Sequence, residues 1–164
     1  MTQLAEAFER FANLLTERLE LRVFTTEDSI RYTFYAALVA SGLKHTDLVL
    51  EFPHPAIPEA EIDTIVREGD GRQPVAIEFK YDRANPGGTN QNRTKRAAAA
   101  LVDIYRLVKV PPSLATVKYF VYVTDGEMAG YFRNPANRLC VIPVLFFAGE
   151  TGAGREHVAF GGRT

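Results

Sequence analysis

The sequence predicts an α/β sandwich, a three-layer α/β/α domain with helices on both faces of a central mixed β-sheet. Two observations carry this. Stretches with apolar residues at helical spacing alternate with short, strongly apolar runs bounded by turn residues, in the order α-α-β-β-β-α-β-α-β. The 164 residues, 46% hydrophobic and 24% charged, suit one domain with a real core and show no linker that would divide it. The expected organisation is an N-terminal helix within residues 1–25, a core over 26–148 and a glycine-rich tail over 149–164.

Each element has a local reason. Leu4, Phe8, Phe11, Leu15 and Leu19 form one face of a first helix over residues 4–21. Thr26 is a good N-cap for a second helix and Gly42 a good stop, with Ile30, Phe34, Leu38 and Ser41 along its inner side. Glu27 falls on that same inner side, in the first turn. Residues 47–52 read as a strand ending at Glu51 and the proline-broken segment 53–58. Residues 60–68 and 73–81 read as strands of an antiparallel hairpin around the Gly69–Gly71 turn. After an Asn/Gly/Pro-rich loop, an alanine-rich helix over residues 91–109 presents Ala97, Leu101, Ile104 and Val108, and two prolines stop it. Residues 117–124 form a strand, a short helix passes through Met128 and Phe132, and residues 139–148 form the last strand.

Composition excludes several classes. The net charge of -1 gives no global basic signature, so a nucleic-acid partner requires positive charge gathered on one face. The single Cys140 offers neither a disulfide framework nor zinc spacing, and the three histidines (45, 54 and 157) lack metal-ligand spacing. No stretch has the length and apolarity of a membrane span, and the N-terminus lacks the apolar block of a signal peptide; a cytoplasmic protein is the expectation.

Three charged residues stand out because they interrupt apolar strands: Asp63 in Glu61–Val66, and Glu78 and Lys80 in Val75–Tyr81. Strand side chains alternate with period two, so Glu78 and Lys80 share a face and Phe79 points to the other layer. Asp63 joins them if the hairpin register aligns it with Glu78. Two carboxylates side by side repel unless a cation sits between them, and Mg²⁺ accepts hard oxygen ligands while keeping waters, one of which can become a nucleophile. The competing reading is a cross-strand salt bridge on a solvated face, in which replacing Asp63 or Lys80 costs about 0–1 kcal/mol. In the metal-site reading, Asp63→Ala stabilises the metal-free protein by removing repulsion.

Asp63, fourteen intervening residues and then Glu78-Phe79-Lys80 resemble the PD-(D/E)xK nuclease superfamily of restriction endonucleases, junction resolvases and repair enzymes. The element order over residues 26–148 is similar to that family's core, and Ile62 stands where the family's name has proline. The resemblance implies a restriction-endonuclease-like fold and a Mg²⁺-dependent deoxyribonuclease, with Mn²⁺ able to substitute. Asp63, Glu78 and the Phe79 carbonyl would hold the metal, and Lys80 would position or activate the attacking water. It also implies an auxiliary glutamate before the hairpin, for which Glu27 and Glu51 compete. Glu27 has a plain alternative in the favourable helix dipole at the start of its helix, and Glu51 in a solvated strand end.

Arg93, Lys95 and Arg96 cluster at the start of the alanine-rich helix, where cations oppose the helix dipole unless an anion binds. With Gln91 they are the candidates for contacting a DNA backbone; the alternative is a solvated basic turn. Asp103 and Arg106 read as an i,i+3 surface ion pair. The expected partner is DNA, with a homodimer or a protein partner supplying target recognition, since little chain is left for a separate recognition region. The alternative function is a catalytically inactive nuclease-like subunit that binds DNA or protein.

Overall fold

A computed structural model describes residues 3–69, 71–82, 92–124, 126–134, 136 and 145–148. Gln91, Cys140, His157 and residues 83–90 and 149–164 lie outside them. The protein is α/β: helices α1 (Gln3–Glu20) and α2 (Glu27–Ala40), strands β1 (Leu48–Pro53), β2 (Glu61–Val66) and β3 (Val75–Asp82), helix α3 (Arg93–Val108), strand β4 (Val117–Thr124), helix α4 (Gly126–Arg133) and strand β5 (Leu145–Ala148). Among the described residues these five strands form one sheet in chain order. β1, β2 and β3 pair antiparallel, while β3, β4 and β5 pair parallel, so β3 is where the two modes meet.

The two faces carry separate cores. Val75, Ile77 and Phe79 of β3, with Val121 and Val123 of β4, pack under α1 and α2 against Phe11 and Phe34. Ala76 of β3 and Phe120 and Tyr122 of β4 pack under α3 and α4 against Ala97, Ala100, Met128 and Phe132. Phe79 thus points away from the layer that receives Glu78, as the period-two pattern requires.

The local signals act as expected at α2. The Thr26 hydroxyl accepts from the Ser29 amide and the Ser29 hydroxyl accepts from the Thr26 amide, a reciprocal cap. At the other end, the Gly42 and Leu43 amides donate to Val39 and Leu38 carbonyls, with Gly42 at φ 91°. This closing turn needs a left-handed residue, which glycine adopts at least cost.

α3 departs from its predicted phase. Arg96, Ala97, Ala100 and Leu107 are its buried residues, and Val108 is 63% exposed. Four consecutive alanines at 97–100 leave the phase to be set by the larger side chains, and the rotation turns Arg96 and Asp103 inward.

The hairpin has the register that aligns Thr64 with Ile77 and Val66 with Val75. On the other side of β2, pairing with β1 skips the Glu51/Asp63 position, and Glu51 has φ 53°. Val49 and Phe52, of opposite parity, both meet the α3/α4 core, as do Ile62 and Ile65. Both strands therefore change face at Glu51 and Asp63. A left-handed φ at a non-glycine residue costs about 1–2 kcal/mol, and it sits directly across from the conspicuous aspartate.

Candidate functional site

The strand ladder between β2 and β3 stops just before Asp63, whose carboxylate takes over from the backbone: Oδ2 accepts from the Phe79 amide at 2.7 Å. This bond carries Asp63 to the side of Glu78. Glu78 is 6% exposed and lies beside the Asp63 carboxyl, and its Oε1 has no hydrogen-bond partner. Burial first, then the Asp63 charge, pushes the Glu78 carboxyl up to about 9. Burial also raises Asp63, against the opposing pull of the Phe79 amide and Arg31. The metal-free pair therefore holds a proton that free carboxyls lose.

Lys80 extends from the same strand to two helices. Its Nζ lies 3.6 Å from Glu27 Oε2 and 3.2 Å from Asp103 Oδ2. Burial pulls the ammonium down, but Glu27 and Asp103 outweigh it and leave Lys80 above the ordinary lysine value. In this state Lys80 is a cation and a hydrogen-bond donor, with no lone pair to act as a base. Glu27 Oε2 also accepts from the Tyr81 amide at 2.9 Å, so the first-turn glutamate is bonded to β3 as well as placed by the helix dipole. Glu51 meets the site only through Arg31, at 3.3 Å, and its side chain is 55% exposed.

The structure thus brings Asp63, Glu78, Lys80 and Glu27 to one end of β3. It adds two residues that sequence reasoning missed. Asp103, expected as a surface partner of Arg106, has a side chain only 15% exposed and holds Lys80 as well as Arg106. Arg31, on α2 one turn after Glu27, lies 3.1 Å from Asp63 Oδ1 and also pairs with Asp28. Their signal was spatial: i,i+3 acid–arginine spacing reads as surface chemistry, and only the helix phase reveals its burial.

The basic cluster of α3 separates. Arg96 is 6% exposed and donates to Asp82 Oδ1 at 2.7 Å and to the Asp82 carbonyl at 3.2 Å; its guanidinium also lies 3.6 Å from Glu127. As a residue on a DNA-facing surface Arg96 is corrected, because its fork is directed into the fold. Arg93 and Lys95 are exposed, with Arg93 near Glu127 at 3.6 Å and over the Tyr131 ring. His54 is a structural residue: Nδ1 accepts from the Ala56 amide, so Nε2 donates to the Arg106 carbonyl at 2.9 Å.

The donor set suits a small hard cation. Two carboxylates share a largely dry position and one oxygen lacks a donor, which a divalent ion would remedy. Among the described residues no group of three or more His, Cys, Asp or Glu is arranged to hold a metal, so any ion here depends on the Asp63–Glu78 pair, backbone oxygen and water. Zinc and calcium, which take most of their ligands from protein, fit less well. Among the described residues no helix is long and apolar enough to cross a membrane.

No family model, no curated protein and no solved structure matches the chain.

Proposed function

We propose that the chain is a Mg²⁺-dependent nuclease with a restriction-endonuclease-like core, whose active site is Asp63, Glu78 and Lys80 with Glu27 beside them. The observation that carries the reading is the buried Glu78 oxygen without a donor, set against a second carboxylate and on the same strand face as Lys80. A salt bridge alone does not account for it, because Lys80 is engaged by Glu27 and Asp103 instead. The antiparallel hairpin followed by α3 and a parallel β4 supports the resemblance in fold.

Asp63 and Glu78 would hold Mg²⁺ or Mn²⁺, which when bound supplies a water of lowered pKa and neutralises charge at phosphorus. Lys80 acts as an ammonium: it donates to the attacking water or a phosphate oxygen and stabilises the charge that grows there. Glu27 and Asp103 fix its direction from two sides. The water oxygen would bond to phosphorus in line as the bond to the 3′ oxygen breaks, with the water's proton released to solvent and the leaving 3′ oxygen taking up a proton from solvent. Arg93 and Lys95, exposed at the start of α3, are suited to backbone phosphates, with Gln91 preceding them in sequence. DNA as the substrate rests on the resemblance, and a homodimer or protein partner would supply target recognition.

One observation favours the second reading, a nuclease-like subunit that binds without cutting: both Asp63 oxygens are engaged, by Arg31 and the Phe79 amide. Cleavage of supercoiled plasmid and of branched and single-stranded oligonucleotides with Mg²⁺, Mn²⁺ or EDTA decides between them. Metal-dependent nicking is expected, reduced about 10²-fold or more in Lys80→Ala. Binding without cleavage by a folded protein in every metal selects the second reading.

A further inference from the structure

Arg31 has acidic partners of two kinds. Asp63 is interior, its side chain 16% exposed, while Glu51 and Asp28 stand at the rim, 55% and 61% exposed. One guanidinium spans them all: Nη1 faces both Asp63 and Glu51, and Nη2 faces Asp28. The interior contact matters to the site above. Asp63 Oδ2 is committed to the Phe79 amide, so Oδ1, the oxygen held by Arg31, is the one left to meet a metal. A guanidinium and a divalent cation at one shielded carboxylate oxygen repel strongly.

We propose that Arg31 is a positioning residue that holds Asp63 Oδ1 in the metal-free protein and yields it to an incoming divalent cation, withdrawing onto Asp28 and Glu51. The inference rests on the metal-site reading of Asp63 and Glu78. The exchange needs only a pivot of the guanidinium, because its two rim contacts already exist. It accounts for an arginine placed against a would-be metal ligand. It also accounts for the acids at the rim, which keep the displaced charge paired. Arg31 thereby sets the metal affinity: it competes for the oxygen, and the rim acids set how easily it leaves.

The test is Mn²⁺ binding without nucleic acid, by titration calorimetry and by loss of the free-ion paramagnetic resonance signal. Wild type, Arg31→Gln, Asp28→Asn and the double variant are compared. Arg31→Gln is expected to bind Mn²⁺ about tenfold more tightly, the effect of removing one unit of like charge worth a pKa unit. Asp28→Asn is expected to weaken binding about threefold in wild type and to change nothing in the Arg31→Gln background; a general field effect of Asp28 would persist in both. Should Arg31→Gln fail to fold, Arg31→Lys, which keeps the charge but lacks the fork that spans the rim acids, takes its place and the Asp28 effect should again vanish. Unchanged or weaker Mn²⁺ binding in Arg31→Gln, or an Asp28→Asn effect that persists in the Arg31 variant, while wild type binds, overturns the proposal and leaves the metal site standing. No Mn²⁺ binding by any of the folded proteins overturns both.

Discussion

Glu78 and Asp82 lie on the same face of β3, and each sits in a cluster shielded by α3, yet the two clusters are built differently. Every Asp82 oxygen has a donor. Arg96 reaches Oδ1 at 2.7 Å, the Tyr122 hydroxyl reaches Oδ2 at 2.5 Å, and Thr124 and Arg96 reach the carbonyl. Burial and the Asp82 carboxylate hold the Tyr122 hydroxyl above its usual range, so it remains a donor. Glu78 instead faces Asp63, keeps one oxygen without a donor, and sees the nearby cations engaged by other acids. A buried polar cluster that is complete ties β3 to β4 and α3. One that lacks a cation retains a proton instead, and under the proposed function a divalent cation would complete it.

The sharpest way to break this comparison is to make the complete cluster incomplete. Arg96→Ala leaves the Asp82 carboxylate largely shielded without its cation, which costs about 3–5 kcal/mol. Urea unfolding should report that loss at neutral pH. A loss under 1 kcal/mol would mean that Asp82 is as well hydrated as a surface carboxylate, and the contrast between the clusters would disappear.

Glu78→Gln should act with the opposite sign. Free glutamate has a pKa of 4.5, whereas the Glu78 carboxyl is pushed up to about 9. Between those values the folded, metal-free chain retains a proton that the unfolded chain has released. Its stability therefore falls as pH rises, by up to about 1.4 kcal/mol per pH unit, and levels off above the folded pKa. The amide has no such titration. Glu78→Gln should flatten the pH dependence between pH 5 and 8 and exceed wild type at pH 8 by about 1–3 kcal/mol. Urea titrations in EDTA across that range provide the measurement, and an unchanged slope would show that Glu78 is ionised in the fold. The expectation that Asp63→Ala stabilises is revised by the structure, because Asp63 also receives the Phe79 amide and Arg31. Removing it leaves the buried Phe79 amide without its acceptor and takes from Arg31 its interior partner, so relief of repulsion moves to Glu78.

The difference between the clusters also marks what the sequence makes legible. The hairpin of β2 with β3 and the shared face of Glu78 and Lys80 follow from the turn and from period-two alternation, and the register that brings Asp63 to them is the one the hairpin needed. Asp82, at a strand end beside an Asn/Gly-rich segment, reads as a loop residue, and its partners Arg96, Tyr122 and Thr124 come from two other elements. Arg31 and Asp103 were hidden for a related reason. Each has a helical neighbour of opposite charge three residues away, Asp28 or Arg106, which explains it locally and conceals its long-range partner. The alanines of α3 carry too little contrast to fix which face is buried, and that phase decides between Arg96 on DNA and Arg96 in the core.

The smallest expected effect sharpens the same contrast within one helical turn. Arg93 and Lys95 are exposed, whereas Arg96 is buried in the Asp82 cluster. If the start of α3 meets a phosphate backbone, the Arg93→Ala/Lys95→Ala double variant should weaken DNA binding only a few-fold at low salt. It should also make the dependence of log K on log salt shallower, by about 0.9 for each duplex phosphate that is no longer neutralised. Fluorescence anisotropy over a salt series measures this directly. Folding stability should change by less than about 0.5 kcal/mol, as expected for solvated side chains. Arg96 variants that remain folded should leave the salt slope alone, because that guanidinium is bonded to Asp82 rather than facing solvent. An unchanged slope in the double variant would assign Arg93 and Lys95 to a solvated basic turn and move the nucleic-acid surface elsewhere on the molecule.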